Sequence, residues 1–119
     1  MVQKSDKQHT ISIASRPVPK GRPRLGRRGR VFTPVKTLEA EALINGAWQM
    51  SDGPIFEGPV WIRVEFTPTS MEITVGESEL ELSKLRGDID NYVKTIMDGL
   101  NGVAWADDKQ VHHVEAWKA

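Results

Sequence analysis

Five aspartates fall within one short stretch of this chain, Arg86–Val111, read RGDIDNYVKTIMDGLNGVAWADDKQV. Asp90, Lys94 and Asp98 stand four residues apart, so a helix places them on one face. Asp88 lies just ahead of that helix, and Asp107-Asp108 follow the turn that ends it. Clustered carboxylates repel one another unless a cation lies between them. Oxygen ligands of this kind suit Mg²⁺, which takes one or two carboxylates together with waters and phosphate oxygens. Phosphodiester hydrolysis needs an activated water and neutralisation of the charge building on phosphate, and bound Mg²⁺ supplies both. A lysine beside such a site can steady the transition state. The same residues also have an ordinary use. Asp88 and Asp90 favour a helix start through caps and the helix dipole, Asp90–Lys94 suits an exposed ion pair, and Asp107-Asp108 suits a polar turn.

Other elements must position these groups. Ile89, Val93, Ile96, Met97 and Leu100 share a face, which predicts a helix from Asp88 to about Leu100. Asn101-Gly102 stops it, because glycine suits the left-handed C-terminal position. Upstream, His9–Ser15 alternates polar and β-branched residues and reads as a strand. Leu38, Ala42, Leu43, Ala47 and Met50 predict a helix to about Met50, with Thr33 or Thr37 as its cap and Pro34 in its first turn. Ser51–Pro59 reads as a turn region. Val60, Ile62, Val64 and Phe66 alternate with polar neighbours or Trp61 and predict a strand with that face buried. Thr67–Gly87 is polar and acidic, and reads as a loop with a short strand near Ile73–Val75. Gln110–Trp117 reads as a final strand. The expected order is β-α-β-α-β: an α+β fold with a mixed sheet packed by two helices, one domain over residues 1–119.

Charge is divided unevenly along the chain. Net charge is zero, yet residues 1–36 hold ten Lys or Arg against Asp6 alone, and residues 37–119 hold six against fifteen acids. Arg16–Thr33, RPVPKGRPRLGRRGRVFT, combines three prolines, three glycines and seven basic residues with no acid. Such a segment is an exposed loop or arm (16–36) rather than a helix. It is either a solvated tail or a phosphate-binding surface, in which Lys20, Arg22, Arg24, Arg27, Arg28 and Arg30 would contact the DNA backbone. The chain has no cysteine, which excludes disulfides and thiolate metal sites. Residues 1–10 lack the apolar core of a signal peptide, and no run of about eighteen apolar residues occurs. The expected location is therefore the cytoplasm. His112-His113, the four tryptophans and Glu72, Glu77, Glu79 and Glu81 are read as core, interface or solvated residues rather than a site.

The combination Asp88-Ile89-Asp90-Asn91, Lys94, Asp98, Leu100-Asn101-Gly102, Asp107-Asp108 and Gln110-Val111, with the late Lys118, resembles the RusA family of Holliday-junction resolvases. Pro17–Arg24 is similar to the basic N-terminal stretch of the family's phage and prophage members. The resemblance implies Mg²⁺ ligands at Asp88, Asp90 and Asp108, with Mn²⁺ as a substitute, and catalytic roles for these three and Lys94. Asp107 and Asp98 match acidic positions of the motif with less defined roles. It also implies a homodimer whose two sites face one four-way junction and nick it symmetrically, in DNA recombination and repair within a bacterial or phage-infected cell. Two other readings compete: a branched-DNA nuclease that also takes forks and flaps, and a non-catalytic DNA-binding protein whose acidic cluster only caps a helix.

Overall fold

The computed structural model describes residues 4–21, 24–25, 29 and 31–119. Its elements are β1 (Lys4–Ile13), β2 (Arg24–Leu25), β3 (Val31–Phe32), α1 (Val35–Met50), β4 (Val60–Phe66), β5 (Met71–Ser78) and α2 (Ile89–Leu100), followed by a 3₁₀ turn at Asp108–Gln110. The fold is α+β, as expected, but the main sheet is antiparallel throughout rather than mixed, in the order β1-β5-β4. No helix among the described residues is long and apolar enough to cross a membrane.

The central strand β5 contains the short strand expected near Ile73–Val75 and extends it on both sides into sequence that reads as loop. Met71, Ile73 and Val75 alternate inward, while Glu72 is exposed and Glu77 pairs with Lys7 at 3.5 Å. The acidic residues that disguise the strand thus form or border its solvent-facing side. β5 lies antiparallel to β1, with Ile11 opposite Ile73 and Ile13 opposite Met71. On its other side Val64 meets Ile73 and Phe66 meets Met71. Paired residues share a sheet face, so the apolar face expected of β4 is the core-facing one. Its covering is partial: Ile62 and Phe66 are 65% and 66% exposed. Trp61, on the opposite face, is buried above Gly76, its partner across the ladder. The indole occupies the space a side chain at position 76 would need.

The core is small. Ile11, Ile13, Met71 and Ile73 are buried, and Ile44, Ala47 and Trp48 of α1 pack on them with Val64 and Val75. Full burial of such a side chain is worth about 1.5–3 kcal/mol. Of the stripe its spacing suggested, Ala47 packs, while Leu38, Leu43 and Met50 are exposed and Ile44 and Trp48 take their place. Neither Thr33 nor Thr37 caps α1. Pro34 is the N-cap, and its carbonyl accepts from Thr37 N–H and Leu38 N–H at 3.1 and 3.2 Å. Thr37 is buried, and its hydroxyl accepts from Gly21 N–H at 3.0 Å, tying the base of the basic arm to α1.

The arm is not wholly irregular. β2 and β3 pair antiparallel, Arg24 opposite Phe32 and Leu25 opposite Val31. The C-terminal segment also differs from expectation. Gln110–Trp117 is no strand: residues 111–119 are irregular and pair with no sheet edge. Val111 and Val114 do not alternate, so neither face of this segment could be buried against a sheet. Nor do two helices pack the sheet. No residue of α2 is buried, and Ile96 is 62% exposed.

Candidate active site

Asp88 ends the approach to α2 in extended conformation, φ −74° and ψ 142°, and is the helix N-cap. Its carbonyl accepts from Asn91 N–H and Tyr92 N–H. Its side chain makes no capping hydrogen bond. The exposed Asp88 carboxylate is thus not consumed by the helix start. Asp90 lies in the first turn, where the helix dipole favours negative charge. Asp90, Lys94 and Asp98 are exposed along α2, and among the described residues they form no ion pair with one another. α2 ends as the sequence predicts: Asn101 is the C-cap and Gly102 takes φ +84°.

The turn after α2 separates the two remaining aspartates by role. Asp107 caps the 3₁₀ turn through a hydrogen bond from Lys109 N–H at 2.9 Å. Gln110 Oε1 reaches back to accept from Ala106 N–H and Asp107 N–H at 2.7 and 3.0 Å. Asp107 and Gln110 therefore build the turn. Asp108 is half-buried, and its Oδ1 accepts from the Trp105 indole N–H at 2.8 Å. An indole donor fixes a carboxylate's orientation without neutralising it. Trp105 is the residue that sequence reading missed. Its signal was the Trp-x-x-Asp spacing, which lets an indole reach across one tight turn.

All the candidate ligands are carboxylate oxygens, the donor type Mg²⁺ prefers. Asp88 and Asp90 flank one helix start with carboxylates exposed, and Asp108 is oriented by Trp105. Among the described residues no three His, Asp or Glu side chains gather closely enough to enclose an ion. The donor chemistry thus fits an ion held by one or two carboxylates with water and phosphate completing its shell, rather than an all-protein cage.

The arm is described in part. Lys20 Nζ lies 2.7 Å from Glu41 Oε2 in an exposed ion pair. Arg24 lies in β2. Arg22, Arg27, Arg28 and Arg30 lie outside the described residues. His112 and His113 are exposed, His113 4.0 Å from Glu115.

No curated protein and no solved structure matches the chain significantly. A family model, endodeoxyribonuclease RusA, matches residues 14–119, a span that holds the arm, both helices and all five aspartates of the Arg86–Val111 stretch. The chain belongs to the RusA endodeoxyribonuclease family.

Proposed function

We propose that this endodeoxyribonuclease is a Mg²⁺-dependent resolvase of four-way DNA junctions, acting in recombination and repair as a homodimer that makes paired symmetric nicks. The observation that carries the reading is the state of Asp88: it stands at a helix start within the family's matched span, yet its carboxylate caps nothing. A merely structural aspartate there would hold the free N–H groups of the first turn. One or two of Asp88, Asp90 and Asp108 would hold the ion at a time, with water and phosphate completing its shell. When bound, Mg²⁺ supplies Lewis-acid neutralisation of the phosphate and activation of water.

The chain's own groups do the rest. Lys94, one turn along α2 from Asp90, holds a phosphate oxygen as charge develops on it. Lys20, Arg22, Arg24, Arg27, Arg28 and Arg30 hold flanking phosphates, which reads shape rather than base sequence. The Lys20–Glu41 pair is exposed and worth at most about 1 kcal/mol, so a phosphate can displace Glu41. A second copy of the chain suits both the substrate and the surface. A four-way junction has two-fold symmetry, and Ile96, Leu100 and Val103 offer apolar area on and just after α2.

The test is cleavage of a labelled four-way junction, with Mg²⁺ and with EDTA, beside a fork and a linear duplex. Symmetric nicks on the junction alone, only with Mg²⁺, are expected. Equal turnover on forks would replace the resolvase by a broader branch nuclease. Salt-sensitive binding with no product would make the chain a DNA-binding protein.

A further inference from the structure

The irregular segment after the 3₁₀ turn returns to the start of α2 and grips it. Lys118 is half-buried in an otherwise largely exposed segment, and its Nζ donates to the Gly87 carbonyl at 3.0 Å. Ser83 Oγ donates to the Ala119 carbonyl at 2.8 Å, a second tie between the same two segments. From the other side, Gly87 N–H donates to the Tyr92 hydroxyl at 3.1 Å. Both backbone groups of Gly87 are therefore held by side chains, one from the helix that follows and one from the segment after the 3₁₀ turn.

The Gly87 carbonyl belongs to the peptide plane that carries the nitrogen of Asp88. That plane can turn only as a rigid unit, since the peptide bond is planar. Its rotation would swing the Asp88 Cα–Cβ bond and carry the carboxylate with it. A hydrogen bond from a charged donor is roughly twice as strong as a neutral one. A lysine gripping this carbonyl thus fixes the direction in which Asp88 points.

We infer that Lys118 is a positioning residue of the active site, holding the Gly87–Asp88 peptide so that the Asp88 carboxylate is aimed at the ion and phosphate. Tyr92 is the weaker second half of the same clamp. The inference rests on the reading of Asp88 as a ligand. Groups that orient a ligand typically change metal affinity by about 10- to 100-fold when removed.

The experiment measures Mn²⁺ binding to the free protein by electron paramagnetic resonance, for wild type, Lys118→Met, Lys118→Arg and Tyr92→Phe. Junction binding in EDTA and thermal unfolding are followed in parallel. Lys118→Met should weaken Mn²⁺ binding about tenfold and raise the Mg²⁺ needed for half-maximal cleavage by the same factor. Junction affinity in EDTA and the melting temperature should stay put. Lys118→Arg, which keeps the charged donor, should recover most of the affinity, and Tyr92→Phe should shift it less than Lys118→Met does. Unchanged Mn²⁺ affinity in Lys118→Met, with wild type binding normally, overturns the positioning role. A lower melting temperature with unchanged affinity makes Lys118 a tail anchor only, which overturns it equally. Wild-type protein that takes up no Mn²⁺ overturns the carboxylate site itself, and this inference with it.

Discussion

The sheet with α1 and the segment from α2 onward obey different rules. In the first, Ile11, Ile13, Met71 and Ile73 are buried and α1 packs on them. In the second, α2 has no buried residue, and Leu100, Val103, Val114 and Trp117 are all at least 40% exposed. A twelve-residue helix is marginal in water by itself. The second region has a half-buried apolar stripe, Ile89, Val93 and Met97, and particular polar ties: the capping box of Asp107 and Gln110, Trp105 on Asp108, and Lys118 on Gly87. The proposed ligands all lie there. The comparison teaches that one region supplies stability and the other geometry. A site built from polar ties can be adjusted by ion, DNA or a second copy without disturbing the core.

The sharpest way to break this division is Asp90→Asn. Cleavage should fall at least about 100-fold, as for loss of one preorganised charge-stabilising group, while junction binding and melting temperature stay unchanged. A lowered melting temperature would show that Asp90 belongs to the stabilising half after all. Ile73→Ala is the mirror experiment. Denaturant unfolding should show a loss of about 2–4 kcal/mol, and any protein that remains folded should bind Mn²⁺ as the wild type does. Ile96→Asp places a charge on the exposed face of α2. If a second copy covers that face, light scattering should show the mass halved at concentrations where the wild type is paired, with dissociation at least about tenfold easier (1.4 kcal/mol). An unchanged mass would move the interface elsewhere. The smallest effect belongs to the joint between arm and core. Thr37→Ala leaves Gly21 N–H without its acceptor and should cost about 1 kcal/mol, read as a modest drop in melting temperature.

What the sequence disclosed follows the same division. β4, the extent of α2 and its stop at Asn101-Gly102 were legible because each depends on local pattern: alternation, four-residue spacing, and a glycine able to take φ +84°. β5 was legible only as a short strand near Ile73–Val75, because Glu72 and Glu77 accompany an apolar series only three residues long. The exposed Ile62 and Phe66 were read as core because alternation reports which face a residue is on, not whether anything covers it. The final strand was misread because β-propensity cannot tell whether a partner edge exists. At the site, residue types and spacing marked out five aspartates and Lys94, and the family resemblance singled out Asp88, Asp90 and Asp108. The hydrogen bonds of Trp105 to Asp108 and of Tyr92 and Lys118 to Gly87 leave no periodic trace, and of these three residues the sequence reading named Lys118 alone, as part of the resemblance.

The strand order β1-β5-β4 also sets a timetable. β1 has no strand partner until β5 exists: Ile13 waits for Met71 and Lys4 for Ser78. Bringing together ends roughly sixty residues apart carries a loop-closure cost that a hairpin avoids, so β4 with β5 is the natural seed and β1 the late arrival. On a ribosome the first strand emerges as an unsatisfied edge carrying Ile11 and Ile13, and stays so until two-thirds of the chain has been made. α2 and its aspartates follow only after the sheet has the means to close. The edge of β1 therefore stays open before any of the proposed site aspartates is made, and those aspartates arrive after all three strands of the sheet.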